Sequence, residues 1–150
     1  MTRTVFITLL ALVASCAQAA VGLTRVTPVE GEEPVTVFYP TSSPEANIKR
    51  GPFAFSLAVN GVPVRGNGHL VVISHGSGAN PWVNEDLART LVEAGFTVAM
   101  PQHKGDNSND PSKPGPQSWK LRPIEVSHAI DAVAADARFA PLIAFDSVGM

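Results

Sequence analysis

The chain has almost no cysteine: Cys16 is the single one among 150 residues. It lies in an N-terminal segment that we predict to be removed, which would leave a mature chain with none. Disulfide bonds, a thiol nucleophile and a cysteine-based zinc site are then excluded. The mature fold must rest on its hydrophobic core alone.

Charge is scarce and balanced. Charged residues make up 16% of the chain, the formal net charge is −2, and Lys49-Arg50 is the largest basic cluster. Nucleic-acid binding needs a concentrated basic surface, so we expect no nucleic-acid partner. The hydrophobic content of 45% is typical of a globular protein, and 150 residues favour one domain.

The first nineteen residues are typical of a secretory signal peptide. Arg3 precedes an apolar run over residues 5–14, and Ala17-Gln18-Ala19 supplies the small residues at which a signal peptidase cleaves. We predict cleavage after Ala19, one domain over 20–150, and a secreted or periplasmic protein. The apolar run is shorter than the ~20 residues of a membrane span. The residues before and at Cys16 also resemble a lipidation site, which would tether the protein to a membrane.

The most informative stretch is an apolar run at 70–73 followed by Ser74-His75-Gly76-Ser77-Gly78. The run predicts a strand covered on both faces, as in a parallel sheet. Ligand-binding loops follow the carboxyl ends of such strands. Small residues there let backbone N–H groups approach a developing negative charge, which is what an oxyanion hole requires.

A helix and a second strand follow this turn. Asn80-Pro81 predicts the helix start and Gly95 its end, and residues 96–100 predict a strand, which completes a β-α-β unit. The predicted apolar stripe of the helix is Leu87, Ala88, Leu91, Val92 and Ala94.

The flanking regions give weaker patterns. Residues 22–29 and 35–39 predict a hairpin at the edge of the sheet, with period-two alternation in the second strand. Residues 40–51 and 102–120 predict polar loops, and Asn60-Gly61 a turn. Pro123 predicts the start of a second helix that Pro141 ends, and a further strand begins at 146–150. The predicted buried face of this helix is Val126, Ile130, Val133 and Ala137.

Together these motifs resemble the α/β-hydrolase superfamily. The likeness is to the dienelactone hydrolase-like branch, which is related to platelet-activating-factor acetylhydrolases. The motifs that carry it, in chain order, are residues 74–78 after the strand, Gly95-Phe96, Pro101-Gln102-His103, Gly105-Asp106-Asn107, and Trp119 with Arg122-Pro123. The resemblance implies an α/β fold with a mostly parallel sheet and flanking helices. It also implies a serine hydrolase that acts on a small-molecule ester or lactone without cofactor or metal.

The G-x-S-x-G turn that carries the serine of such enzymes does not occur in this sequence. The strand that begins at Val148 is where it should follow. We therefore expect the N-terminal part of a hydrolase, truncated before the nucleophile elbow, with nucleophile, acid and base beyond Met150. Such a chain has no hydrolase activity by itself. The resemblance implies that the Ser77 backbone N–H is one oxyanion donor, that His75 and Gly76 shape the turn, and that Gly78 lets it leave the sheet.

Other roles for single residues remain open. His75 could be a general base, although a ring that hydrogen-bonds backbone is favoured, and Ser77 could be a nucleophile, although no partner base is evident. His103, Asp106 and Asp110 could hold a metal, but Pro111 stands where a calcium loop needs glycine, so a solvated loop is favoured. His69 and His128 are predicted to lie at the surface, and Trp119 to anchor the long loop by packing.

Two further function classes remain. The chain could be a complete, secreted, non-catalytic binding module on an α/β scaffold, because fold does not fix function. It could also bind a nucleotide at the glycine-rich turn, although both G-x-G-x-x-G and G-x-x-x-x-G-K-[ST] are missing.

Overall fold

The computed structural model describes residues 20–28, 30–50 and 53–150. The predicted signal peptide and the possible lipidation site at Cys16 lie outside these residues. Within the described ranges, none of the helices combines the length and the apolar character that a membrane crossing requires.

The described residues form one seven-stranded sheet with two α-helices. The strands are β1 (Ala20–Val26), β2 (Val35–Thr41), β3 (Ala46–Arg50), β4 (Phe53–Val59), β5 (Leu70–Val72), β6 (Thr97–Met100) and β7 (Val148–Gly149). Their order across the sheet is β3-β4-β1-β2-β6-β5-β7. A 3₁₀ turn at Pro81–Asn84 leads into α1 (Glu85–Glu93), and α2 spans Pro116–Ala135.

The two helices cover opposite faces of the sheet. Ala88 and Val92 of α1 pack in one cluster with Phe38, whereas Ala129 and Val133 of α2 pack in another with the neighbouring Tyr39. Because adjacent strand residues point to opposite faces, these clusters lie on the two sides of β2. The sheet is mixed, since β5 pairs with β6 and β7 in parallel and β1 with β4, while the other pairings are antiparallel.

The predicted hairpin exists as β1–β2, which pair antiparallel over their whole length. Its predicted position at the sheet edge is wrong, because β1 also pairs with β4 and β2 with β6. All seven residues of β2 are buried. The period-two alternation of this strand therefore does not separate a buried face from a solvent face. Val37 and Phe38 point to opposite faces of the sheet, and both are fully buried.

Part of the predicted polar loop at 40–51 is a strand. β3 pairs antiparallel with β4, and four of its five residues are exposed. Its polar composition is that of an edge strand with little burial, which sequence pattern does not separate from a loop. The predicted turn at Asn60 is present, and Asn60 has a left-handed backbone with φ of 55°.

The predicted β-α-β unit is confirmed as β5, α1 and β6. The Asn80 side chain accepts a hydrogen bond from the Trp82 N–H at 2.9 Å, and Gly95 ends the helix with φ of +91°. The predicted stripe is partly wrong, because Leu87 and Ala94 are exposed. The buried face of α1 instead passes through Glu85, Ala88 and Val92.

The second helix begins earlier than predicted. Pro116 occupies its first turn, so Pro123 lies inside α2 and does not open it. The helix ends at Ala135, before Pro141, and Ala137 is an exposed residue beyond its end. Its buried residues are Ser118, Glu125, Ala129 and Val133. Trp119 is 58% exposed, so the prediction that it anchors the loop by packing is wrong.

Candidate functional site

The glycine-rich turn lies at the carboxyl end of β5. The Ile73 N–H still bonds to the Ala99 carbonyl of β6 at 2.9 Å, and the chain then leaves the sheet. Gly78 has φ of +69°, a conformation that favours glycine. β6 runs parallel to β5, so residues 101–115, which follow β6, begin at the same edge of the sheet. The turn therefore faces the segment that carries His103 and Asp106.

Two neighbouring backbone N–H groups of the turn differ in their partners. The Gly78 N–H donates to Asp106 Oδ1 at 2.9 Å, and the Ser77 hydroxyl donates to the same oxygen at 2.6 Å. In the described part of the chain, no group accepts a hydrogen bond from the Ser77 N–H. Ser77 is an exposed residue, and its N–H is a donor that the described residues leave unused. Its role as an oxyanion donor stays a prediction.

Asp106 is the buried anion at the centre of the site. Its side chain is fully buried and forms an ion pair with Arg122, with Nη2 and Oδ2 2.9 Å apart. The hydrogen bond from the Ser77 hydroxyl, aided by those from Arg122 and the Gly78 N–H, lowers the pKa of this carboxyl to about 2. Arg122 also donates to the His75 carbonyl. One ion pair thus fastens the turn to α2.

His75 is buried and both of its ring nitrogens face backbone groups. Nδ1 lies 2.8 Å from the Gly76 carbonyl, and Nε2 accepts from the His103 N–H at 3.2 Å. The carbonyl can only accept, so Nδ1 carries the proton and Nε2 is the acceptor of a neutral ring. Burial lowers the pKa of His75, which favours this neutral form. These contacts engage both ring nitrogens and leave no free nitrogen for a general base.

A second hydrogen-bonded group of side chains lies beside the one that Asp106 and Arg122 form. The Ser74 hydroxyl is 2.7 Å from His103 Nε2, and His103 Nδ1 is 2.6 Å from Glu125 Oε2. The other Glu125 oxygen accepts from the Lys104 N–H at 3.1 Å. His103 is fully buried, and this burial lowers the pKa of its ring. The order serine, histidine, carboxylate is that of a nucleophile, a base and the group that orients the base.

Sequence reasoning missed this second group. The predicted solvated loop around His103 and Asp106 is wrong, because both residues are fully buried. A helix that starts at Pro123 would not include Arg122, so the predicted helix does not relate Arg122 to Glu125. They lie three residues apart on α2, and both reach the turn region. That spacing, with a histidine just after a buried strand, was the available signal.

The remaining candidates lie elsewhere or form no site. Among the described residues, no group of three or more histidine, cysteine, aspartate or glutamate side chains is arranged to hold a metal. Asp110 Oδ1 accepts a hydrogen bond from the Ser112 N–H at 3.2 Å. His69 is exposed, as predicted, whereas His128 is partly buried and hydrogen-bonds Glu32.

Comparisons with known proteins define the fold. No protein-family model and no curated protein matches the chain. Among solved structures, the chain is similar to a ferulic acid esterase from Streptomyces cinnamoneus, with a TM-score of 0.64 at 15% sequence identity. The likeness covers 84% of this chain and 50% of the esterase, so the chain spans about half of that protein's length. At this identity it shows the fold alone, and the predicted α/β-hydrolase-type fold is confirmed.

Proposed function

We propose that this chain is the N-terminal part of an exported serine hydrolase of the dienelactone hydrolase-like branch, acting on a small-molecule carboxylic ester or lactone. In this proposal the turn at 74–78 supplies the oxyanion hole, with the Ser77 N–H as one donor. The nucleophilic serine, the acid and the base belong to the part of the enzyme that follows Met150.

The observation that carries the proposal is the open Ser77 N–H beside a donor that is already engaged. Asp106 holds the Gly78 N–H and the Ser77 hydroxyl, so the turn is fixed before a substrate arrives. A preorganised donor stabilises the negative charge of a tetrahedral intermediate without reorganising during the reaction. The fixed turn is therefore suited to acyl transfer.

The position of β7 supports the same proposal. β7 pairs in parallel with β5, Leu70 opposite Val148 and Val71 opposite Gly149. A residue that follows β7 therefore emerges at the edge of the sheet where residues 74–78 lie. A serine on a turn after β7 would stand next to the Ser77 N–H, as the proposed chemistry needs.

The proposed location rests on residues 1–19 alone. An apolar segment followed by Ala17-Gln18-Ala19 supports export with cleavage after Ala19. The mass of the mature N-terminus, measured on exported protein, tests this. A chain that begins at Ala20 supports a free protein, and one that begins at a lipid-modified Cys16 supports a membrane-anchored one.

The catalytic part is tested in the full reading frame of the parent protein with p-nitrophenyl esters. Replacing the Ser77 amide by a backbone ester, through protein ligation, substitutes an oxygen for the N–H and keeps every side chain. We expect kcat to fall about 10²–10³-fold, the cost of one oxyanion donor. A protein ligated in the same way with the ordinary amide at Ser77 is the matched control and should keep the kcat of the unmodified enzyme. An unchanged kcat in the backbone-ester protein would reject Ser77 as a donor.

A further inference from the structure

We propose that Ser74 is a second, base-activated nucleophile that accepts the acyl group of an activated carboxylic ester, with His103 as its base and Glu125 as the residue that positions the base. This site lies wholly within the described residues. It does not depend on the serine hydrolase proposed above, whose nucleophile lies elsewhere.

The first support is the direction of the hydrogen bonds. A carboxylate oxygen accepts hydrogen bonds, so the 2.6 Å contact with Glu125 Oε2 places the ring proton of His103 on Nδ1. Nε2 is then the acceptor, and the Ser74 hydroxyl 2.7 Å away is its donor. This is the tautomer that a base needs in order to remove the serine proton.

The second support is rigidity. His103 is fully buried, its own N–H is held by His75 Nε2, and its carbonyl accepts from the Asn107 side chain at 2.7 Å. Glu125 is buried and held by the Lys104 N–H. The base, His103, is thus fixed on the segment after β6, and its orienting group, Glu125, is fixed on α2. Preorganisation of this kind is what separates a working dyad from two side chains that meet by chance.

The third support is access. In the described part of the chain Ser74 is an exposed residue, whereas its partner His103 is fully buried, so the serine lies at the surface while the base is shielded from solvent. The same turn carries the open N–H of Ser77. An ester that approaches Ser74 therefore meets a hydroxyl that is hydrogen-bonded to His103 and, on the same turn, the unused N–H of Ser77.

The chemical step is an ordinary acyl transfer. Ser74 Oγ forms a bond to the ester carbonyl carbon while its proton passes to His103 Nε2. The tetrahedral adduct then collapses, the bond to the leaving oxygen breaks, and that oxygen departs with the bonding electrons and the proton from Nε2. The products are acyl-Ser74 and an alcohol, and His103 is neutral again. Acyl-Ser74 is the end product of this step.

The test is labelling of the full purified chain with a fluorophosphonate, which reacts with base-activated serines, followed by peptide mass mapping. We expect a single label on Ser74 and none in Ser74→Ala. Ser112→Ala changes an exposed loop serine and should label like the unmodified chain. Glu125→Gln should slow labelling at least about tenfold, because the amide no longer fixes the required tautomer.

A spectroscopic readout separates activation from mere fastening of the turn. A short, buried Nδ1–H to carboxylate contact should give a strongly downfield proton signal that disappears in Glu125→Gln and persists in Ser74→Ala. Absence of this signal in the unmodified chain, a label on another residue, or no labelling above the rate of the urea-unfolded chain would each overturn the proposal. None of these results bears on a serine beyond Met150, so the proposed hydrolase function would stand or fall separately.

Discussion

At the scale of single residues, Asp106 organises the site. Its carboxylate accepts the Ser77 hydroxyl and the Gly78 N–H, and it pairs with Arg122 of α2. A fully buried carboxylate is tolerated only when its oxygens are paired in this way. The shape of the turn therefore depends on a charge that is distant in sequence.

Removing that charge should destabilise the fold. Asp106→Asn leaves Arg122 without its buried partner, and we expect the free energy of unfolding to fall by about 3 kcal/mol. Asp131→Asn, at an exposed position of α2, is the matched control and should stay within about 0.5 kcal/mol. Urea denaturation followed by circular dichroism measures both.

The same variant should change acid stability. The pKa of Asp106 is about 2 in the folded protein, below its ordinary value of 3.8. Its contribution is present above about pH 4 and is lost as the pH falls toward 2. Asp106→Asn should lack this part of the acid transition, and equal pH dependence of the two proteins between 4 and 2 would contradict the assignment.

The buried histidines should act at higher pH. Burial lowers the pKa of His75 and His103, so below the ordinary value of 6.5 the unfolded chain binds protons that the folded chain does not. Stability is then complete above about pH 6.5 and declines as the pH falls, by up to ~1.4 kcal/mol per pH unit for each group. His103→Gln should reduce this slope. The exposed His69→Gln should retain it, and identical slopes in both variants would refute the account.

At the scale of elements, α2 connects the site to the core. Its buried residues run from Ser118 near the site to Val133 in the cluster under β2. Arg122 and Glu125 lie three residues apart. Arg122 hydrogen-bonds the His75 carbonyl, and Glu125 hydrogen-bonds the His103 ring. A change in the register of this helix would therefore disturb both hydrogen-bonded groups together.

Pro123 is an internal strain on that helix. It cannot donate to the carbonyl four residues earlier, and its ring crowds that carbonyl. We expect Pro123→Ala to raise the free energy of unfolding by about 1 kcal/mol, the helical gain being partly offset by the freer unfolded chain. Pro116→Ala, in the first turn, should give no gain, because that position needs no donor. Equal effects in thermal unfolding would mean that the helix starts at Pro123 after all.

The sequence predicts elements well where local signals agree. β5, α1 and β6 follow from continuous apolar runs, the Asn80-Pro81 start and the Gly95 stop. The start of α2 was not predictable in this way, because Pro116 and Pro123 both satisfy the rule for a first helical turn. The contacts of Ser118 and Arg122 with Asp106, which are tertiary, decide between them.

The candidate site also has a part that the sequence predicts and a part that it does not. The position of the turn at the end of β5 follows from local pattern. The partnership of Ser74, His103 and Glu125 does not, because it joins residues 29 and 22 positions apart on three different elements. Only the parallel pairing of β5 with β6 and the early start of α2 bring them together.

At the scale of the whole molecule, α2 carries three large apolar side chains that the described residues leave exposed. Trp119, Leu121 and Ile124 of α2 are between 46% and 58% exposed. They lie close in sequence to Arg122 and Glu125, which hold the turn. Together with the match to half of an esterase chain, this agrees with the proposal that the described sheet is one part of a larger enzyme.

The measurement that tests this central claim most directly is the DNA sequence of the parent reading frame across the codon for Met150. The account predicts that the frame continues and encodes a G-x-S-x-G turn within a few residues of β7, with an acid and a histidine further on. A stop codon at that point, or a continuation without such a turn, would contradict the serine hydrolase proposal and favour a non-catalytic binding module.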